Sequence, residues 1–178
     1  MTPQPTPDAI LATLRQGGEQ AEQISTLLAL DTTMRAAVVA DLASSLQPAD
    51  HALVRRLLEM EVTAHKQAGH GASETLYTLV AALARYADPQ DVLLIWRAHE
   101  ATPETRAGLD VEQAMRAGVE PVRQRLRALI ASDAGGSAEA ADALAWLEAG
   151  IAAGAADDLP GYFTWADERF GLHVSGPT

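Results

Sequence analysis

Apolar residues recur along most of the chain with the three-to-four-residue step of an amphipathic helix, and interruptions of that step mark out about nine short helices. Asp8 to Gln16 is the first, stopped by Gly17 and Gly18; Ala21, Ile24 and Leu28 mark one face of the second, Glu19 to Leu30. Asp31 is placed to cap a third helix, with Met34, Val38, Leu42 and Leu46 inward. Gln47 and Pro48 break the chain before a long helix running from Ala49 to Gly69, and Ser73 with Glu74 opens the next, carrying Leu76, Leu79, Val80 and Leu83.

Val92 to Trp96 is apolar at five successive positions. It reads as a central helix started by Asp88 and Pro89; a short buried strand is the alternative, but the chain offers no second strand to pair with it. Thr102 and Pro103 begin a short turn of helix, Asp110 caps another, and Glu120 to Ser132 turns Val122, Leu126, Leu129 and Ile130 inward. The Ala134 to Ser137 loop leads into an alanine-rich helix through Ile151. A last helix near Leu159 to Phe170 gathers Tyr162, Phe163, Trp165 and Phe170, half of the chain's aromatic side chains, and is expected to pin this end onto the body.

One helix breaks its own pattern. In Asp50 to Lys66, Leu53, Val54, Leu57, Leu58, Met60 and Ala64 form a broad apolar stripe, with Arg55, Arg56, Glu59 and Lys66 opposite. Glu61 and His65 stand in the middle of that stripe at i and i+4, close enough to share a proton, a partner or an ion. A buried carboxylate costs several kcal/mol (~3–5) unless paired, so Glu61 is expected to meet an internal cation such as Arg97 or His99. The functional alternative is a metal or proton-transfer site on Glu61 and His65, with His70 and His99 as weaker candidates. The spacing matches neither the HExxH of zinc peptidases nor the ExxH of di-iron bundles.

Asp88 to Trp96 and Asp157 to Trp165 share one spacing, each after an alanine-rich helix. With short helices joined by short loops, this favours an all-α fold of antiparallel helix pairs stacked as a short α-superhelix, with an irregular multi-helix bundle as the alternative. Residues 1–7 read as a flexible tail and residues 8–178 as a single all-helical domain.

Composition narrows the function classes. The 178 residues carry a formal charge of -11, which opposes a phosphate backbone and argues against nucleic acid as a partner. The acidity is uneven: residues 97–127 hold six arginines, whose expected role is pairing with neighbouring carboxylates, whereas residues 128–178 hold a single basic side chain. No apolar run approaches the ~20 residues that a membrane span needs, and MTPQPTPDA lacks a secretion signal's pattern, so the expected location is the cytoplasm. Without cysteine there is no disulfide, thiol nucleophile or thiolate metal site. Neither a GxSxG elbow nor a phosphate-cradling glycine loop occurs, and no cofactor is expected.

LVRRLLEMEVTAHK followed by DVLLIWRAHEATPETRAGLD resembles a loosely defined group of bacterial all-helical proteins with a HEAT-like helical repeat, over residues 50–110. The group carries an Ala-Lys pair and then a Phe-Asp pair after the tryptophan. Here Ala98 and His99 follow Trp96, and Thr102, Pro103 and Glu104 occupy the later stretch. The resemblance implies a fold and carries no activity with it.

These features favour a non-catalytic helical-repeat protein that binds another protein, with Tyr77, Tyr86, Trp96 and Arg97 as candidate contact residues. The rivals are a small metal-dependent or ligand-binding enzyme centred on Glu61 and His65, and an acidic binder of a basic protein.

Overall fold

Among the described residues, ten α-helices account for most of the structure: α1 (Pro7–Gln16), α2 (Glu19–Leu30), α3 (Thr32–Ser44), α4 (His51–Ala68), α5 (Glu74–Ala84), α6 (Val92–His99), α7 (Pro103–Gly108), α8 (Val119–Ala131), α9 (Ser137–Ala152) and α10 (Leu159–Arg169). The computed structural model describes residues 5–132 and 136–172, and among these there is no β-strand. The expected tail before Pro5, the start of the loop before Ser137, and His173 lie outside the described residues. No helix among those described is long and apolar enough to cross a membrane.

The caps follow the sequence. Asp31 accepts from the Met34 amide at 2.9 Å, Ser73 from Leu76 at 3.0 Å, and Thr102 exchanges hydrogen bonds with Thr105 at the start of α7. Gly69, at φ 74°, takes the left-handed conformation that ends α4. Val92 to Trp96 is helix, so the five-residue apolar run needs no strand partner; Val92, Leu94 and Ile95 are buried, while Leu93 and Trp96 are partly covered.

Three stretches are tighter than the expected α-helix. Pro48–Asp50, Pro89–Asp91 and Val111–Met115 are 3-10 turns, the first two leading straight into α4 and α6. Asp110, expected to cap the third, makes no side-chain capping bond. Its carboxylate accepts instead from the Tyr162 hydroxyl at 3.0 Å.

The internal correspondence in the structure is not the tryptophan echo. Trp96 is packed among other rings, whereas Trp165 is 50% exposed, and α10 is capped by Asp158 and not Asp157. The closer match pairs residues 31–50 with 72–91: Val38 with Leu79, Val39 with Val80, Leu42 with Leu83, Ala43 with Ala84, and Pro48 with Pro89. Those four apolar pairs are buried, and both proline turns place a buried aspartate, Asp50 or Asp91, at the same offset.

Neighbouring helices then stack in order. α1 packs on α2 and α3, α3 on α5, α4 on α5 and α6, α6 on α9, and α8 on α9, around one continuous apolar core. At Gly150 the absence of a side chain lets Val111 rest on α9, since a Cβ there would overlap the valine methyl. Several expected core residues, among them Ile24, Met34 and Leu129, are only partly buried, and Ile130 points outward, because α8 buries only Val122 and Leu126 fully.

Candidate functional site

α3 and α4 meet through a buried ion pair that accounts for the anomaly in the α4 stripe. Arg35, without exposed surface, donates from Nε to Glu61 Oε2 at 2.6 Å and from Nη1 to the Leu28 carbonyl at the end of α2. Ser73 donates from Oγ to Glu61 Oε1 at 2.7 Å while capping α5. Glu61 thus ties three helices together. His65 turns its Nδ1 to the Glu61 carbonyl at 2.9 Å and lies 3.6 Å from the carboxylate.

The cation is Arg35, and neither Arg97 nor His99, for a geometric reason. Arg97 faces outward and grips Glu139 with two bonds of 2.7 Å, and His99 stacks on Trp96 at 5.1 Å and lies tilted against Trp146 at 4.6 Å, the three rings forming one cluster. Arg35 is marked by the sequence as a buried charge, though not as the partner of Glu61. It lies in register with Val38, Val39 and Leu42, a charge inside an apolar stripe like Glu61 itself.

Two more buried carboxylates follow the same logic. Asp50 receives Arg15 Nε at 2.9 Å and Nη2 at 2.7 Å, linking α1 to the turn before α4. Asp91 receives His51 Nε2 at 2.7 Å and, on its other oxygen, Arg55, linking α4 to the turn before α6. Burial still holds the Asp91 carboxyl above its ordinary value, against the pull of His51 and Arg55.

The remaining candidates are spread apart. Tyr86 stacks on His51 with centroids 4.6 Å apart and donates to the Gln47 carbonyl at 2.8 Å; burial pushes its hydroxyl up. Tyr77 lies against Gly108 near Asp110 and is partly buried, while Trp96 belongs to the Trp146 cluster. Burial lowers His99, opposed by Glu100, so this imidazole favours the neutral form. His70 is exposed in the loop after α4. The structure brings together Glu61 with His65, and Trp96 with His99, but it joins neither pair to Tyr77, Tyr86 or His70.

The arginines of residues 97–127 mostly find carboxylates. Arg106 holds Glu100, Arg116 holds Asp167, and Arg123 holds Glu148, each with two bonds between 2.6 and 2.9 Å. They form no free cationic band.

An exposed apolar patch lies elsewhere. At the end of α2, Leu27 is 65% and Leu30 84% exposed. Leu27 and Leu30 border a groove of about 580 Å³ lined also by Ile10, Ile24 and Met34; across Leu30, Met60 and Ala64 of α4 line a second of about 420 Å³. Asp31, Glu22 and Glu59 stand near these grooves with Arg56, which is engaged by Glu22, and the last turn of α2 holds no basic residue to offset its negative end. The readable sign was that Ile24, Leu27, Leu28 and Leu30 cover more of α2 than one face can bury. Comparison with known protein families, with curated proteins and with solved structures finds no match to this chain.

Proposed function

We propose that the chain is a non-catalytic, cytoplasmic protein-binding module of stacked helix pairs, in the manner of a HEAT-like repeat. Its occupant is an amphipathic helix of another protein, apolar on one face and basic along its flank, seated across Leu27 and Leu30. The observation that carries this reading is the exposure of those two leucines beside two adjoining grooves, where most leucines of the chain are buried. Charge supports the choice of partner: Asp31 lines the first groove and Glu59 the second, Arg56 beside it is held by Glu22, α2 ends there, and the chain carries -11 overall. Packing of α3 on α5 and of α4 on α6, with matching proline turns, supports the stacked-pair description.

The rival enzyme centred on Glu61 and His65 has Arg35 against it, because a guanidinium already holds the carboxylate inside a sealed core. Tyr77, Tyr86, Trp96 and Arg97 are engaged within the chain and serve the fold before any partner.

Fluorescence anisotropy with synthetic amphipathic helices tests the proposal. A Leu-rich helix flanked by lysine and arginine binds about tenfold or more tightly than its charge-reversed twin, weakens as salt rises, and loses binding to the folded Leu27→Glu, Leu30→Glu variant. Equal binding of both peptides, or binding that survives the double substitution, overturns it. A concentration-dependent dimer by ultracentrifugation that Leu30→Glu abolishes would instead assign the groove to a second copy of the chain.

A further inference from the structure

A second polar constellation, independent of the groove, lies where α4 begins beside the turn into α6. His51, Asp88 and Asp91 each offer a ligand atom there, all within 4.8 Å of one another. We propose that these three side chains bind a divalent transition-metal ion, of the Zn2+ class, through His51 Nε2 and one oxygen each of Asp88 and Asp91.

Geometry supports each ligand separately. His51 Nε2 and Asp91 Oδ2 already lie 2.7 Å apart, so an ion replaces the proton between them with a small outward movement; the imidazole proton then resides on Nδ1. The histidine ring is fixed by its stack on Tyr86, 4.6 Å away and 20° from parallel. Asp88 uses Oδ1 to cap Gln90 at 2.9 Å, which leaves Oδ2 to face the ion. Arg55 binds the opposite oxygen of Asp91 and acts as an outer partner that orients the carboxylate while the inner oxygen serves as ligand.

The donor set chooses the ion. One imidazole and two carboxylates suit four-coordinate Zn2+ or Co2+, with a water completing the shell. Ca2+ and Mg2+, which need about six oxygens, are poorly served. The solvent side is open for that water, since His51 and Asp88 are only partly buried.

Calorimetry of the full chain with ZnCl2, after chelator treatment, tests the assignment. One ion binds per chain; Asp88→Asn, which keeps the capping group, weakens it about tenfold or more, and His51→Gln removes it. His70→Gln, in the exposed loop, leaves binding unchanged. Co2+ gives the intense visible absorption of a four-coordinate site in the parent chain and loses it in Asp88→Asn. Absence of saturable binding up to millimolar Zn2+ overturns the proposal, as does binding that survives both His51→Gln and Asp88→Asn. If circular dichroism shows His51→Gln unfolded, Asp88→Asn alone decides.

Discussion

The first hundred residues bury charged side chains, and the remainder of the chain, among the described residues, does not. From α1 to α6, Arg35, Asp50, Glu61 and Asp91 are buried; their pairs tie α3 to α4, α1 to the turn before α4, and α4 to the turn before α6. From α7 onward the pairs include Arg116 with Asp167, Arg123 with Glu148 and Arg106 with Glu100, all at least partly exposed, while the core beneath is apolar, with Met115, Val122, Leu126 and Leu147 fully buried and a glycine contact at Val111. A buried pair contributes little net stability yet is costly to break, so it specifies which helices meet; a surface pair is cheap to lose.

The largest effect expected from this contrast is at the Arg35 lock. Glu61→Ala strands a buried guanidinium and lowers unfolding free energy by about 3–5 kcal/mol in urea denaturation, whereas Arg35→Met with Glu61→Leu recovers most of that loss. A double variant as unstable as the single one would break the comparison. Next comes Gly150→Ala, where the new methyl overlaps Val111 and overpacking costs about 1–3 kcal/mol by the same measurement. A neutral result there would mean that the second region does not depend on close backbone approach.

Glu148→Gln, which removes a well-formed surface pair, leaves the urea-denaturation midpoint close to that of the parent chain. A loss rivalling that of Glu61→Ala would erase the distinction between the two regions. The smallest effect is in pH. Glu139 is held below the ordinary carboxylate value of 4.5, first by its hydrogen bond to Arg97, so its stabilising contribution is complete above that value and is lost as pH falls through the lower folded one. Asp91 has the opposite sign: burial raises it, so its proton favours the folded state below the ordinary value of 3.8, and that contribution is lost as pH rises through the folded value. Carboxyl-detected NMR titration sharpens the comparison if Asp91 titrates above 3.8 and Glu139 below 4.5.

Periodicity and capping chemistry made much of the fold legible. Glu19–Leu30 has its expected bounds, and Asp31, Ser73 and Thr102 cap the helices they were expected to start. These are local properties, decided by a few adjacent residues. The partner of Glu61 was not legible, because a helical stripe says which side is buried and not which neighbour covers it. Trp165 and Ile130 failed for the related reason that an apolar residue needs a neighbour within reach before it can be buried. The exposed leucines of α2 were recognisable as part of an amphipathic helix, but only the placement of α1, α3 and α4 reveals that nothing covers them among the described residues.

The three interior locks also share a direction in time. Arg15 precedes Asp50 by 35 residues, Arg35 precedes Glu61 by 26, and Arg55 precedes Asp91 by 36. During synthesis from the amino end, each guanidinium therefore leaves the ribosome before the carboxylate it will hold. Each of these three carboxylates arrives after its counter-charge has been made, and the interior pairs can form one short loop closure at a time.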